Sequence, residues 1–328
     1  MSRLLITFTA TALVFDFLNG FNDSANVVAT MISSRAMSPR RALLLNAVAH
    51  LVAPFLFGIA VAKTIGQGVV QPHANTIPVV LAALLAAIAW NLITVFLAIP
   101  SSSSHALIGG LVGATIVGYG LDAVQLHGLA KILAALLVSP LVGLLGGYVL
   151  MNLVLFLARG ASPRINWFFK RAQTLTALAL ALSHGTSDAQ MTMGIITMGL
   201  VGTGVLTQFR VPLWVTAASA VAIALGTGLG SWRIIRTLGG RFYRVRPVHA
   251  FTAQATSALV ILTTALLGGP VSTTQVISSA ILGVGSAERL SKVRWRVAAN
   301  ILTAWMLTIP ASGLLAALAY LLLRNVVA

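Results

Sequence analysis

Only five of the 328 residues are acidic, and three of them, Asp16, Asp23 and Asp188, stand inside long apolar runs. An ionised carboxylate in hydrocarbon costs at least ~2.5–3.5 kcal/mol on insertion scales, so such residues usually mark a cavity, an ion site or a proton relay. Asp23 lies in Gly20-Phe21-Asn22-Asp23-Ser24-Ala25-Asn26, and Asp188 in Gly185-Thr186-Ser187-Asp188-Ala189-Gln190-Met191. Each has a glycine and amide or hydroxyl neighbours. This grouping suits an unwound helix in which carboxylate and freed carbonyl oxygens hold a cation. Two other stretches carry hydroxyls, Pro100-Ser101-Ser102-Ser103-Ser104-His105 and Pro270-Val271-Ser272-Thr273-Thr274-Gln275. Each pairs a helix-breaking proline with the start of a Gly- and Ala-rich helix. Free N–H groups, the positive end of the helix dipole and hydroxyl donors would then all point one way, which suits an oxyanion. Simple N-capping by Ser102 or Ser272 is the plainer reading of either stretch alone.

The elements that position these groups must lie in a membrane. The chain is 58% hydrophobic and 8% charged, against roughly 25% charged residues in soluble domains. At roughly 20 apolar residues per span there is room for about ten. No cysteine is present, which excludes disulfides and thiolate chemistry. The first apolar run contains Asp16, Asn19, Asn22 and Asp23, unlike a cleavable signal. The net charge of +16 does not indicate a nucleic-acid partner. It sits in four short clusters without stacking aromatics, as cytoplasmic loops do. These are Arg35, Arg40, Arg41; Arg159, Arg164, Lys170, Arg171; Arg233, Arg236, Arg241, Arg244, Arg246; and Arg289, Lys292, Arg294, Arg296.

With those loops inside, runs at about 4–30, 42–62, 128–158, 172–200, 211–231 and 297–323 alternate in direction, and both termini lie outside. Pairs at 79–99 with 105–118 and 250–268 with 274–287 go in and return, or out and return. Their short second limbs favour re-entrant hairpins or half-helices. The expected fold is thus an all-α polytopic membrane protein.

Both motif types occur twice in the same order, 165 and 170 residues apart. The chain therefore divides into a repeat at 1–158, a cytoplasmic linker at 159–171 and a second repeat at 172–328. The loop charges orient Asp23 and Asp188 on oppositely directed segments. Inverted repeats typify secondary transporters, whose sites lie at the repeat interface near the midplane. Asp16, two helical turns before Asp23, is a relay member or a packing residue. His184 stands four residues before Asp188, within reach on a helix. His50, Asn46 and Asn91 are expected to form interhelical hydrogen bonds. A serine hydrolase built on Ser102–Ser104, His105 and an aspartate is disfavoured, because the second hydroxyl run carries Gln275 where a base would stand. A passive anion channel is opposed by the buried carboxylates.

These motifs resemble those of the Pit family of inorganic phosphate transporters, namely Gly-X-Asn-Asp-X-Ala-Asn and Pro-X-Ser-Thr/Ser-Thr/Ser-His, each present in both halves. Ala89-Trp90-Asn91-Leu92 and Ala304-Trp305-Met306 extend the likeness over nearly the whole chain. The resemblance is closest to the bacterial, proton-coupled type. It implies a carrier in the cell inner membrane that imports phosphate, or a metal–phosphate complex, with protons or sodium and no other cofactor. A sulfate permease is the alternative, and self-association is a family habit. It further implies phosphate contacts at Ser102, Ser103, Ser104, Thr273 and Thr274, with Ser272 nearby. Coupling ions would be held at Asp23, Asn26 and Asp188, beside Asn22. The second half departs from the motif at Ser187, Met191 and Gln275. A thioether offers no hard oxygen ligand, so a sodium site around Met191 is not expected.

Overall fold

The computed structural model describes residues 3–97, 99, 101–162, 164–230, 246–293 and 295–324. Pro100, Arg233, Arg236, Arg241, Arg244 and Arg294, invoked above, lie outside the described residues. The described chain is almost wholly helical. The helices are α1 (Arg3–Ser33), α2 (Pro39–Val52), α3 (Ala60–Gly68), α4 (Ile77–Phe96), α5 (Ser103–Tyr119) and α6 (Leu126–Leu157), followed by α7 (Ile165–Gly202), α8 (Leu213–Leu229), α9 (Pro247–Leu266), α10 (Thr273–Glu288) and α11 (Trp295–Leu323).

Among the described residues, five helices are long and apolar enough to cross a membrane, or six if the bent α2–α3 pair is one span. Large apolar side chains such as Leu137, Leu141, Leu145 and Val149 stay exposed along α6. In water such a stripe would be a liability; in lipid it is the normal surface.

Two expectations are corrected. The run at 42–62 is not one helix. It breaks after Val52 and resumes at Ala60 with a 71° bend. Pro54 lacks an N–H, and Gly58 adopts φ +78°, which ends the helix cheaply only for glycine. The free N–H groups at the buried start of α3 are satisfied from α7: the Gln190 side-chain oxygen accepts from the N–H groups of Val61 (2.8 Å) and Ala62 (3.4 Å). Conversely, no unwinding occurs at Asp23 or Asp188, because α1 and α7 run unbroken through both. The adjacent glycines serve packing instead. A Cβ on Gly20 would strike the Ile223 carbonyl of α8, and one on Gly185 would lie 2.9 Å from the His50 Cα of α2. α6 ends at Leu157 and α7 begins at Ile165.

α1 and α7 lie antiparallel. Near one end Phe8 packs where Gly199 leaves room, and near the other the Ser34 hydroxyl donates to Gln173 at 2.6 Å. Between them a polar band separates two apolar clusters, one holding Leu5, Phe8 and Phe15 with Ala189–Leu200 residues, the other holding Val27, Val28 and Met31 with Leu180 and Ala181.

The other contacts come in reciprocal sets. α5 packs on α11 while α10 packs on α6; α4 packs on α5 and α11 while α9 packs on α10 and α6; α1 packs on α8 while α7 packs on α2 and α3. Small residues permit the closest approaches. No Cβ fits on Gly113 against the Gly313 backbone, nor on Gly283 against the Leu144 carbonyl. Pro140 and Pro310 occupy the interiors of α6 and α11.

Candidate functional site

The hydroxyl stretches do start helices. Ser102 is the N-cap of α5, its hydroxyl accepting from the His105 N–H at 3.2 Å; Ser272 is the N-cap of α10, accepting from the Gln275 N–H at 3.3 Å. Both plain capping bonds are therefore real. The capping does not leave the two starts isolated from each other. The Ser104 hydroxyl donates to the Val271 carbonyl, just before α10, at 3.1 Å. The His105 and Gln275 side chains meet at 3.5 Å. Two helix N-termini from opposite halves thus abut, with Ser102, Ser103, Ser104, Ser272, Thr273 and Thr274 all buried there. Ser103 donates to Asn91 of α4 at 3.2 Å. Ser101 receives the Trp90 indole N–H at 2.9 Å and bonds Thr308 of α11 at 3.2 Å, which ties down the approach to α5.

The carboxylates meet the same place from α1 and α7. Asn26 Nδ2 donates to Asp23 Oδ1 at 2.9 Å and to Thr274 Oγ1 at 2.8 Å, and Thr274 Oγ1 donates to Asp23 Oδ1 at 2.9 Å. This closed triangle joins the acidic motif of the first half to the hydroxyl motif of the second. Asn22 and Asn26 each keep a buried side-chain oxygen with no hydrogen-bond partner among the described residues. Asn22, Asp23, Asn26, Asn91, Thr94, Ile99, Ser101 and Thr274 line a cavity of about 10 Å³, room for roughly one water. A tetrahedral oxyanion is larger, so its binding here requires the triangle to open.

Asp188 accepts from Asn19 Nδ2 at 3.3 Å, and His184 Nδ1 stands 3.6 Å from the same oxygen. One ligand atom from each of Asp23, His184 and Asp188 lies within 4.8 Å of the others. Three such donors can hold a cation, a grouping not foreseen from sequence because His184 comes from the same turn as Asp188 while Asp23 comes from another helix. His184 also stacks on His50 with ring centroids 5.0 Å apart, and His50 Nδ1 bonds Thr227 of α8 at 2.8 Å. Asn19, Ser101 and Gln190 gain their contacts only in the fold. Their amides and hydroxyl carry no signal until the partner helices are known. Of the three expected interhelical polar residues, His50 and Asn91 bond neighbours, whereas Asn46 leaves both amide atoms without a partner among the described residues.

A hydrolase does not fit. Ser102 bonds His105 Nδ1 at 2.7 Å, but the other ring nitrogen meets Gln275 rather than a carboxylate.

Comparison with known proteins places the chain in a family. Residues 19–316 match the phosphate transporter family. A protein of Bacillus subtilis (strain 168), described as a probable low-affinity inorganic phosphate transporter, is 44% identical over 98% of each chain. One of Rhizobium meliloti (strain 1021) with the same description is 43% identical over 97% of this chain and 96% of its own. A solved structure described as the sodium-dependent phosphate transporter matches with a TM-score of 0.88 at 26% identity, covering 98% of this chain and 99% of the other. The chain belongs to the phosphate transporter family, as a multi-pass membrane transport protein and not an enzyme.

Proposed function

We propose that the protein imports inorganic phosphate, free or as a metal–phosphate complex, together with protons or sodium ions. The observation that carries this reading is the bond between Asp23 and Thr274, which puts a buried carboxylate in contact with the hydroxyl motif of the opposite half. Ser102, Ser103, Ser104, Ser272, Thr273 and Thr274 supply hydroxyls at two abutting helix starts, where N–H groups and dipoles favour an anion. Asp23, Asp188, Asn22 and Asn26 hold the coupling cation beside it. The arrangement binds without a buried arginine, which keeps the anion releasable.

Coupling follows from electrostatics. Moving an anion into a negative interior costs ~2.3 kcal/mol per charge per 100 mV. Cations bound at the carboxylates offset that cost and let the anion approach two like charges.

In this reading residues 1–158 and 172–328 are inverted repeats joined near 159–171. The antiparallel course of α1 and α7 and the reciprocal packing of α5 and α10 support it. The basic loops face the cytoplasm, both termini lie outside, and the membrane is the cell's inner or plasma membrane. Self-association is compatible with the exposed apolar faces.

The test is labelled phosphate uptake into proteoliposomes of the purified protein, with proton and sodium gradients imposed separately and divalent metal varied. Accumulation above equilibrium under one gradient is expected, with excess unlabelled sulfate competing weakly. Equal competition by sulfate points to the oxyanion permease. Equilibration without accumulation under either gradient refutes coupling.

A further inference from the structure

Asp16 takes no part in the arrangement above. It is wholly buried, two turns before Asp23 on α1, and both carboxylate oxygens lack a hydrogen-bond partner among the described residues. The antiparallel register fixed by Phe8 against Gly199 and Asn19 against Asp188 sets Thr192 of α7 opposite Asp16, and Ser219 of α8 stands one turn before Ile223, which meets Gly20 one turn after Asp16. Thr192 and Ser219 are wholly buried too, and neither hydroxyl is engaged among the described residues. Thr186, Thr197, Thr252 and Thr308 each turn the hydroxyl back onto the carbonyl four residues earlier, whereas Thr192, like Thr9, Thr115 and Thr256, does not. Here three helices bring a carboxylate and two available hydroxyls together.

We propose that Asp16, with Thr192 and Ser219, forms a proton-binding site separate from the Asp23–Asp188 pair, so that a proton travels with each transport cycle. The inference rests on the reading of the protein as a cation-coupled anion carrier and names one of the coupling ions. Its chemistry balances simply. The carboxylate takes one proton from the outer side to become a carboxylic acid, whose O–H donates to one hydroxyl while its carbonyl oxygen accepts from the other. The same proton leaves to the inner side after the transition.

The ligand set favours a proton over a metal ion. Hard cations gather about six oxygens, and carriers commonly recruit carbonyls freed where a helix unwinds. α1, α7 and α8 are continuous through Asp16, Thr192 and Ser219. That leaves one carboxylate and two hydroxyls. Around Asp23 the situation differs, because Asn22 and Asn26 add amide oxygens.

The other buried titratable groups on α1 and on the helices packed against it are Asp23, His50 of α2, His184 and Asp188 of α7, and His249 of α9. α4 and α8 contribute none. His249 pairs with Glu288 between the start of α9 and the end of α10. Asn19, one turn beyond Asp16, donates to Asp188 and stands between the two carboxylates. Thr9, one heptad before Asp16 and 8% exposed, leaves its hydroxyl without a partner on the same face, toward the outer end of α1.

Two assays on the purified protein in proteoliposomes separate this inference from the reading beneath it. Counterflow of labelled phosphate tests carriage itself. Accumulation driven by an inward proton gradient without sodium tests the coupling site. Wild type should do both. Asp16→Asn should lose at least about tenfold of the gradient-driven accumulation, its residual counterflow should no longer respond to outside pH, and Asp16→Glu should restore both properties. Wild-type accumulation by Asp16→Asn overturns the proposal, and absence of counterflow in wild type overturns the carrier reading with it. Should Asp16→Asn fail to fold, the Thr192→Val/Ser219→Ala double variant decides. It keeps the carboxyl but removes its partners, so the infrared band of a protonated carboxylic acid in the purified protein should shift. An unmoved band overturns the proposal.

Discussion

Asp23 and Asp188 occupy matching places in sequence but not in chemistry. Asp23 is held by Asn26 and by Thr274, so it touches the hydroxyl motif of the other half directly. Asp188 is held by Asn19 and faces His184, while Ser104, the counterpart of Thr274, spends its hydroxyl on the Val271 carbonyl. The reason is local. Asn26 bridges Asp23 and Thr274 with one amide, and the matching position near Asp188 is Met191, which has no donor. The surrounding scaffold keeps its reciprocity: Gly113 admits the backbone of α11 much as Gly283 admits that of α6. Packing is reciprocal between the two halves, whereas the polar contacts differ. Matching motifs in the sequence therefore do not imply matching contacts.

The sharpest way to break this comparison is to exchange the acids one at a time. Asp23→Asn removes the charge shared with Thr274; losing a charge-assisted hydrogen bond of ~1.5–3 kcal/mol should cut gradient-driven uptake about 10- to 100-fold. The loss should appear as raised KM for phosphate, with an unchanged gel-filtration profile. Asp188→Asn should instead alter cation dependence first, and equal effects on phosphate KM would erase the proposed asymmetry. The scaffold should respond evenly. Gly113→Val and Gly283→Val each force overpacking of about 1–3 kcal/mol, visible as similar falls in Tm of the detergent-purified protein. A large drop for one alone would show that the halves differ in packing as well. Among the hydroxyls, Thr274→Val should weaken phosphate uptake about 2- to 10-fold and Ser104→Ala less, since only the former bonds a carboxylate. The smallest change is expected from Met191→Asn, which supplies Asp188 with an amide. It should raise sodium stimulation of uptake by a few-fold at most, about 0.5–1 kcal/mol, and no change would mean that more than one ligand is missing there.

Much of the candidate site was legible because the sequence places costly polar groups inside apolar runs. Carboxylates in apolar runs and paired hydroxyl stretches after helix breaks pointed to the residues that the fold gathers. The short limbs α5 and α10 were anticipated from run length. Misreadings arose where one residue type serves two ends. Gly20 and Gly185 suggested unwinding but serve close helix packing, and Pro54 with Gly58 broke a run that hydropathy alone made continuous. Hydropathy averages over a window, whereas a kink depends on one absent N–H and one left-handed φ. Asn19, Gln190 and the stacking of His50 on His184 were beyond reach for another reason. Each acts through a partner more than 100 residues away, and no spacing rule links such positions.

The sequence by itself determined the solvent, the helical content, the doubling of two motifs and the residue types able to hold a cation and an oxyanion. Those follow from composition and local order, which lipid and backbone hydrogen bonding enforce strictly. Only the tertiary structure decided which carboxylate meets which hydroxyl. That choice depends on how antiparallel helices register against one another, and it was settled by single side chains, Asn26 on one side and Met191 on the other.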